Sequence, residues 1–400
     1  MLHNMNIAVG VTGGIAAYKT AELVRLLVKD GANVKVIMTK NAQQFITPVT
    51  LGTVSNNPVY TDTFQVTEEG EIAHISIGQW ADILVIVPAT ANIIGKISSG
   101  IADDLLTSTI TAAKKPVLIC PAMNTNMYTN PFVDANLRKL SSFGFLIMEP
   151  DIGGLACKTE GPGRLPPVED IVEEIRGILT KKDLRGFRIL VTAGPTQEPL
   201  DPVRYITNHS SGKMGYALAV MAKRRGAEVT LVSGPTTLDI PRGINLIQVQ
   251  SALQMRDAVM AHLSQVDVVI KSAAVSDYRP ASYSSSKIKK EKGPLSVSLE
   301  RNPDIISEIG KKKGNIVLVG FAMETDDLVD NAKKKMELKS MDLIVANDLN
   351  TPGSGFKSDT NIVTLIARSG AVEELPKMGK NEVADKILDR VYELLQKKSL

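Results

Sequence analysis

One arrangement of apolar runs and glycines constrains this chain more than any other feature, and it occurs twice. Residues 6–12 (NIAVGVT) are short, apolar and β-favouring. Gly13 and Gly14 follow, and apolar residues then recur at helical spacing to about Val28. Asp30 and Gly31 close that helix, and residues 34–38 read as a second strand. A strand, a glycine turn, a helix and a strand in that order pack as a parallel pair joined by a right-handed crossover. The pattern restarts at Phe187 with the strand RILVTAG, a polar loop, a helix over 213–225, Gly226 and a strand over 228–232. The segments DGANVKV (30–36) and RGAEVTL (225–231) echo each other, too faintly to argue duplication. Further buried-type strands are expected over 83–88, 116–121, 267–271, 316–320, 342–346 and 361–366. The expected fold is α/β, with two doubly wound, Rossmann-like domains in series over 1–180 and 187–400 and a hinge or linker over 181–186. The Gly- and Pro-rich residues 150–167 read as an irregular loop, and 168–180 as a helix. The Ser- and Lys-rich residues 281–295 read as a mobile surface loop.

Composition narrows the function. The 400 residues are 44% hydrophobic and 22% charged, ordinary values for a globular protein, and each half is long enough to bury its own core. The 46 basic and 43 acidic side chains leave a net charge of +3, too little to argue for nucleic acid or an anionic membrane surface. No apolar run reaches the ~18 residues of a membrane span. The first residues lack the basic and apolar regions of a signal peptide. The two cysteines, Cys120 and Cys157, give no disulfide framework. The four histidines, His3, His74, His209 and His262, show no i, i+4 pair, which argues against a zinc site. A reducing, cytoplasmic location is the expectation.

In the first half, the turn Gly10-Val-Thr-Gly13-Gly14 lies between strand and helix. There, small residues let backbone N–H groups approach a phosphate. The spacing is not GxGxxG, and the second strand runs into Thr39 rather than an acidic ribose ligand, which counts against NAD. PATANIIGK (88–96) follows a buried strand and offers Thr90, Asn92 and Lys96, or simply caps a helix. His74 stands just before a strand, where a structural histidine is the plainer reading. PAMNTNMY (121–128) presents Asn124 at a strand end, suited to grip a carboxylate or amide. Cys157, in LACKTEGPGR (155–164), is placed either as a thiol on a lid or as a small hydrophobe.

TGGIAAYK (12–19), PATANIIGK, PAMNTNMY and LACKTEGPGR stand in this order and resemble the motifs of the flavin-dependent cysteine decarboxylases. The resemblance implies a flavoprotein domain that holds FMN through Gly13, Gly14, Thr39, Thr90, Asn92 and Lys96. It also implies a base at His74, recognition of the substrate carboxylate by Asn124 with Met127 beside it, and a proton-donating thiol at Cys157. The chain departs from the pattern at Tyr128, where Trp is frequent, and at Lys158, where Gly is common. Removing the carboxyl group of a cysteine leaves a carbanion with no sink, so this chemistry requires a redox cofactor.

In the second half, Thr207 to Gly215 (TNHSSGKMG) opens a helix with free N–H groups, but GxxxxGK[ST] is absent, so it is not a P-loop. Asp277 ends KSAAVSD (271–277), where it could hold a ribose or a metal or cap a turn. KIKKEK (287–292) is a solvated basic loop or a clamp for a triphosphate. Asn302-Pro303-Asp304-Ile305 starts a helix. Phe321 packs a base or the core, and Lys335 and Lys339 share one helix face.

AGPTQEPLDPVRYITNHSSGKMG (193–215), AAVSDY (273–278), KIKK (287–290) and GFAMET (320–325) resemble the CTP-dependent phosphopantothenate–cysteine ligases. The resemblance implies that Asp277, Lys287, Asn302, Pro303, Asp304, Ile305, Phe321, Lys335 and Lys339 serve CTP. It places Asn208 and Arg204 at the substrate, with Asn208 and Lys287 in the chemistry, and Mg²⁺ on the CTP phosphates through unassigned protein ligands. Both halves together resemble the bifunctional enzymes of coenzyme A biosynthesis. That implies 4′-phosphopantothenate, L-cysteine and CTP as substrates, and a homo-oligomer of trimeric flavin halves and dimeric ligase halves, together a dodecamer. Two other readings are an NAD(P)-dependent oxidoreductase and a non-enzymatic flavin-binding regulator. The missing GxGxxG weighs against the first, and the presence of His74, Cys157 and a ligase-like half weighs against the second.

Overall fold

Every residue of the strand Ile83–Ala89 is buried, and as far as Val87 its side chains divide by parity between two cores. Ile83, Val85 and Val87 enter one core with Ile7, Val9 and Val11, while Leu84 and Ile86 enter the other with Ala8. A strand apolar on both faces belongs inside a sheet covered by helices on both sides. The structure, a computed structural model, describes residues 2–65, 70–154, 160–289, 295–324, 328–348 and 358–398. It divides into two compact units, Met1–Thr180 and Lys181–Leu400.

The first unit holds a six-stranded parallel sheet in the order Val59–Tyr60, Asn33–Met38, Asn6–Val11, Ile83–Ala89, Val117–Pro121 and Leu146–Ile147. The order reverses direction between Asn6–Val11 and Ile83–Ala89, and that switch point is where a doubly wound sheet opens a crevice. The helix Tyr18–Lys29 buries Thr20, Leu23, Val24 and Leu27, spaced i, i+3, i+4, i+7. Each of its aliphatic side chains contributes roughly 1.5–3 kcal/mol of burial. The helix stops at Asp30, and Gly31 follows at φ +87°.

Two segments differ from their sequence expectation. Residues 150–167 are not wholly irregular: Asp151–Gly154 and Glu160–Arg164 pair as an antiparallel ribbon. Gly163, at φ +131°, allows this ribbon to lie against the residues after Val117–Pro121, since a Cβ there would stand 2.3 Å from the Met123 carbonyl oxygen. His74 does not lead directly into a strand; it lies in the first turn of the helix Ala73–Trp80.

The second unit repeats the plan with eight strands in the order Asn245–Gln248, Glu228–Ser233, Arg188–Ala193, Val268–Lys271, Val317–Glu324, Leu343–Asp348, Thr360–Ala367 and Val372–Gly379. The first six run parallel and the last two antiparallel. The switch point lies between Arg188–Ala193 and Val268–Lys271. Two ribbons, Gln197–Pro199 with Tyr205–Thr207 and Tyr278–Pro280 with Leu299–Arg301, stand beyond the sheet. Residues 181–186 are built into this unit, with Leu184 fully buried in its core. Arg225, also fully buried, joins Asp183 at 2.6 Å to Asp385 at 3.0 Å and Asp389 at 2.9 Å on the helix Lys380–Lys398. Three carboxylates around one guanidinium satisfy a charge that would otherwise be costly to bury.

Candidate functional sites

The crevice of the first unit is a cavity of about 700 Å³, within the range of small-molecule sites. Gly13, Gly14, Thr90, Asn124, Met127 and Gly163 all line it. Its floor is tied together by Thr12, whose hydroxyl donates to the Pro88 carbonyl at 2.7 Å and accepts from the Thr90 N–H at 3.2 Å. Gly13 can carry no side chain, because a Cβ would lie 2.5 Å from the Asn41 Cβ. The turn Ile15–Ala17 begins at Gly14 without a side-chain cap. Gly14, Ile15 and Ala16 at its start line the cavity.

Asn124 caps the short helix Thr125–Tyr128, its Oδ1 accepting from the Asn126 N–H at 2.8 Å. The Met123 N–H donates to the Gly163 carbonyl at 3.0 Å, which brings the ribbon beside Asn124. Tyr128 donates its hydroxyl to Glu149 at 2.5 Å; burial, then that carboxylate, pushes the phenol above its ordinary pKa.

Other expected residues stand outside this cavity wall. Thr39 accepts from the Ala42 N–H at 3.3 Å. Asn92 is exposed on the helix Ala91–Ser98. Lys96 is bound to Asp103 at 2.7 Å and Asp104 at 3.4 Å; the Asp103 bond is the chief reason its pKa is raised. The His74 Nδ1 is buried and, among the described residues, has no hydrogen-bond partner. Cys157 and Lys158 lie outside the described residues. Lys19 and Arg164 also line the cavity, and the sequence reading missed both. The signal was the basic residue that ends each of the glycine-bearing motifs TGGIAAYK and LACKTEGPGR.

In the second unit, the loops after Val268–Lys271 and before Ile305–Lys312 interlock. The Asn302 N–H donates to the Asp277 carbonyl at 2.8 Å, and the Asn302 Nδ2 to the Ser276 carbonyl at 2.9 Å. Asp304 caps Ile305–Lys312 through Ser307 and binds the Lys339 Nζ at 2.8 Å. Burial opposes the Asp304 carboxylate, but the bonds from Lys339 and Ser307 hold its pKa below the ordinary value. Gly310 makes this reach possible, since a Cβ there would lie 2.2 Å from the Lys339 carbonyl oxygen. Lys335 lies one turn before Lys339 and is exposed. Pro303 is half-buried and Ile305 is buried in the core. Phe321 packs partly against the other core of the sheet.

Asn208 donates to the Ala274 carbonyl at 3.3 Å. Arg204 grips Asp201 with two nitrogens, at 3.0 and 2.6 Å, and donates to the Ile288 carbonyl at 3.0 Å. The Ile288 N–H in turn donates to Asp201 at 3.1 Å. The structure thus brings Arg204 beside the basic loop and leaves Lys287 exposed next to the anchor. Residues 290–294 of that loop lie outside the described residues. Asp201 was not picked out from the sequence, although it stands inside a motif quoted for it.

Two doubly wound units in series, the first with a cavity at its switch point, define a two-domain α/β protein of Rossmann-like architecture. Residues 1–180 match the family described as Flavoprotein, and residues 184–395 the DNA/pantothenate metabolism flavoprotein C-terminal domain. The chain belongs to the CoaBC family of bifunctional coenzyme A biosynthesis proteins. It is 48% identical over 398 residues to the member from Bacillus subtilis, covering 98% of each chain. It is 43% identical over 395 residues to the member from Escherichia coli, covering 98% of this chain and 97% of that one. The crystal structure of the C-terminal domain of a CoaBC protein is 45% identical, covers 54% of this chain and 100% of its own, and has a TM-score of 0.48.

Proposed function

We propose that the chain performs two consecutive steps of coenzyme A biosynthesis. It joins 4′-phosphopantothenate to L-cysteine with CTP, then removes the cysteine carboxyl group to give 4′-phosphopantetheine. The observation that carries this reading is the alignment with bifunctional relatives over 98% of the chain, which includes both units. We assign the decarboxylase to residues 1–180 and the ligase to residues 181–400, since residues 181–186 pack into the second unit.

In the first unit the glycine cradle and uncapped turn suit the phosphate of FMN, and the cavity suits its ring system. Gly13, Gly14 and Thr90 are the residues that would hold it, with Thr39, Asn92 and Lys96 completing the family set. Bound FMN supplies the two-electron chemistry that makes the thiol-bearing carbon an electron sink for carboxyl loss. Asn124 orients the substrate carboxylate with Met127 beside it, the unpartnered His74 Nδ1 takes the thiol proton, and the Cys157 thiol returns a proton to the product.

In the second unit the substrate carboxylate attacks the α-phosphorus of CTP and displaces pyrophosphate, forming an acyl-cytidylate. Lys287, Lys335 and Lys339 neutralise the phosphate charge, and Asp277, Asn302 to Ile305 and Phe321 shape the nucleotide site. The cysteine amine then attacks the mixed anhydride at Asn208, with Arg204 holding substrate, and CMP leaves. Among the described residues there is no group of three or more His, Cys, Asp or Glu side chains that could hold a metal. Mg²⁺ would accompany the CTP phosphates, where it would neutralise charge. No helix among the described residues is long and apolar enough to cross a membrane. A cytoplasmic homo-oligomer completes the reading.

Incubation with CTP, Mg²⁺, cysteine and 4′-phosphopantothenate should yield pyrophosphate, CMP and 4′-phosphopantetheine by mass analysis. A protein that turns over only ATP, or that neither carries nor takes up FMN, would remove the corresponding half of the proposal. The Cys157→Ser variant is expected to retain FMN and release CO₂ but to stall before the final reduction; normal pantetheine output from it would overturn the role of the thiol.

A further inference from the structure

The switch point of the second unit is bridged. The ladder between Arg188–Ala193 and Val268–Lys271 ends with Thr192 beside Lys271. Beyond it the two chains depart for opposite faces, one toward the helix Lys213–Arg224 in one core, the other toward the helix Ile305–Lys312 in the other. Loops that part in this way open a crevice. Here hydrogen bonds hold them together instead. The Ala273 N–H donates to the Thr192 hydroxyl at 3.2 Å, and the Ala274 N–H to the Gly194 carbonyl at 2.9 Å. The Thr196 N–H donates to the Ala274 carbonyl at 3.3 Å, and the Ser276 N–H to the Thr196 hydroxyl at 3.0 Å. Thr192 and Thr196 are fully buried, and their hydroxyls accept where a strand would present a carbonyl.

Thr196 is where this bridge meets Asn208. Its carbonyl accepts from the hydroxyl of the neighbouring Thr207 at 2.7 Å. The Ala274 carbonyl that takes the Thr196 N–H also takes the Asn208 Nδ2, at 3.3 Å, so both of its lone pairs are engaged. On the far side Ser276 leads into Asp277, and the carbonyls of both accept from Asn302. A buried backbone N–H must be paired. Without the Thr196 hydroxyl, the Ser276 N–H would have to shift to find a partner and would carry the loop of Ala274 with it. Asn208, bonded to that loop, would move as well.

We propose that Thr196 is a positioning residue for acyl transfer: its hydroxyl fixes the loop against which Asn208 is set. The assignment rests on the ligase reading of the second unit and adds a residue that touches neither substrate nor nucleotide. Its test compares two variants of the full chain, Thr196→Val, which exchanges the hydroxyl for a methyl of similar size, and Thr196→Ser, which keeps the hydroxyl. In Thr196→Val the cysteine-dependent step should slow at least about tenfold at saturating substrates, with acyl-cytidylate accumulating by mass analysis. The KM for CTP and the rate of pyrophosphate release in the first turnover should stay within about twofold of the parent. Thr196→Ser should recover most of the lost rate. Thr207→Val, which removes the donor to the Thr196 carbonyl, should show the same slow second step. FMN content and decarboxylation should be unchanged in every variant. Exchange of the Ser276 amide should be faster in Thr196→Val than in the parent or in Thr196→Ser.

A normal cysteine-dependent rate in Thr196→Val overturns the assignment. So do equal losses in Thr196→Val and Thr196→Ser, in favour of packing, and a raised KM for CTP at unchanged kcat, in favour of nucleotide binding. Where Thr196→Val does not fold, Thr207→Val decides, and a normal second step in it overturns the assignment. If the parent releases no pyrophosphate from CTP, the ligase reading itself fails and the role of Thr196 with it. Unchanged Ser276 exchange in Thr196→Val of a working ligase removes the positioning role alone.

Discussion

Asp201 does more than close a turn. Its side chain is fully buried, accepts from Arg204 and from the Val203 and Arg204 N–H groups, and anchors the Ile288 N–H of the basic loop. The Arg204 bond is the chief reason that its carboxyl stays well below the usual carboxylate range. A depressed folded pKa stabilises the protein above the unfolded value of ~3.9, and that stability is lost as pH falls through the folded value. The loop should therefore stay anchored through mild acid, with slow exchange of the Ile288 amide persisting at pH 5. Asp201→Asn removes the charge at every pH. It should speed that exchange and tryptic cleavage after Lys287 and Lys289 by roughly tenfold, to be read by mass spectrometry. Equal exchange in parent and variant would show that the anchor is not what holds the loop. The sequence displayed the Asp201–Arg204 spacing but not its partner, because Ile288 lies 87 residues away.

Among the elements, the ribbon of Asp151–Gly154 and Glu160–Arg164 lends Gly154, Gly163 and Arg164 to the wall of the first unit's crevice. Gly163 is its contact point, and both its backbone angle and the 2.3 Å approach exclude a side chain. Gly163→Ala should displace the ribbon from Met123 and Asn124. Decarboxylation is expected to fall at least about tenfold while CTP-dependent pyrophosphate release is unchanged; assays of the two half-reactions separate these effects. The long buried strands were legible because their unbroken β-branched runs have no other use in a globular chain. The ribbon was not, since its glycines and proline erase any alternation. The strand Val372–Gly379 was missed too: Pro376 argues against a strand, yet an outermost strand tolerates it. His74 was placed without its helix because Ile72, Ile75 and Ile77 favour extended chain, and tertiary packing of Ala73 and Ile77 overrides them.

For the whole molecule, each unit contains two cores of its own, one on either face of its sheet. Fragments 1–180 and 181–400 should accordingly fold separately, each with one cooperative calorimetric transition, and the second should release pyrophosphate without FMN. A second fragment that stays unfolded would show that it depends on the first. The doubling of the glycine-turn pattern made this plan readable from the sequence, because strand order in such a fold follows from crossover handedness rather than from any single residue. What the pattern concealed was the allegiance of residues 181–186, whose polar character suggested a tether. Leu184 and the Asp183–Arg225 pair make them instead the keel of the second unit. A gene split at Phe187 would discard about 2 kcal/mol from Leu184 burial alone and leave Arg225 short of one acid. The seam along which evolution or an engineer can part these two enzymes lies at Thr180.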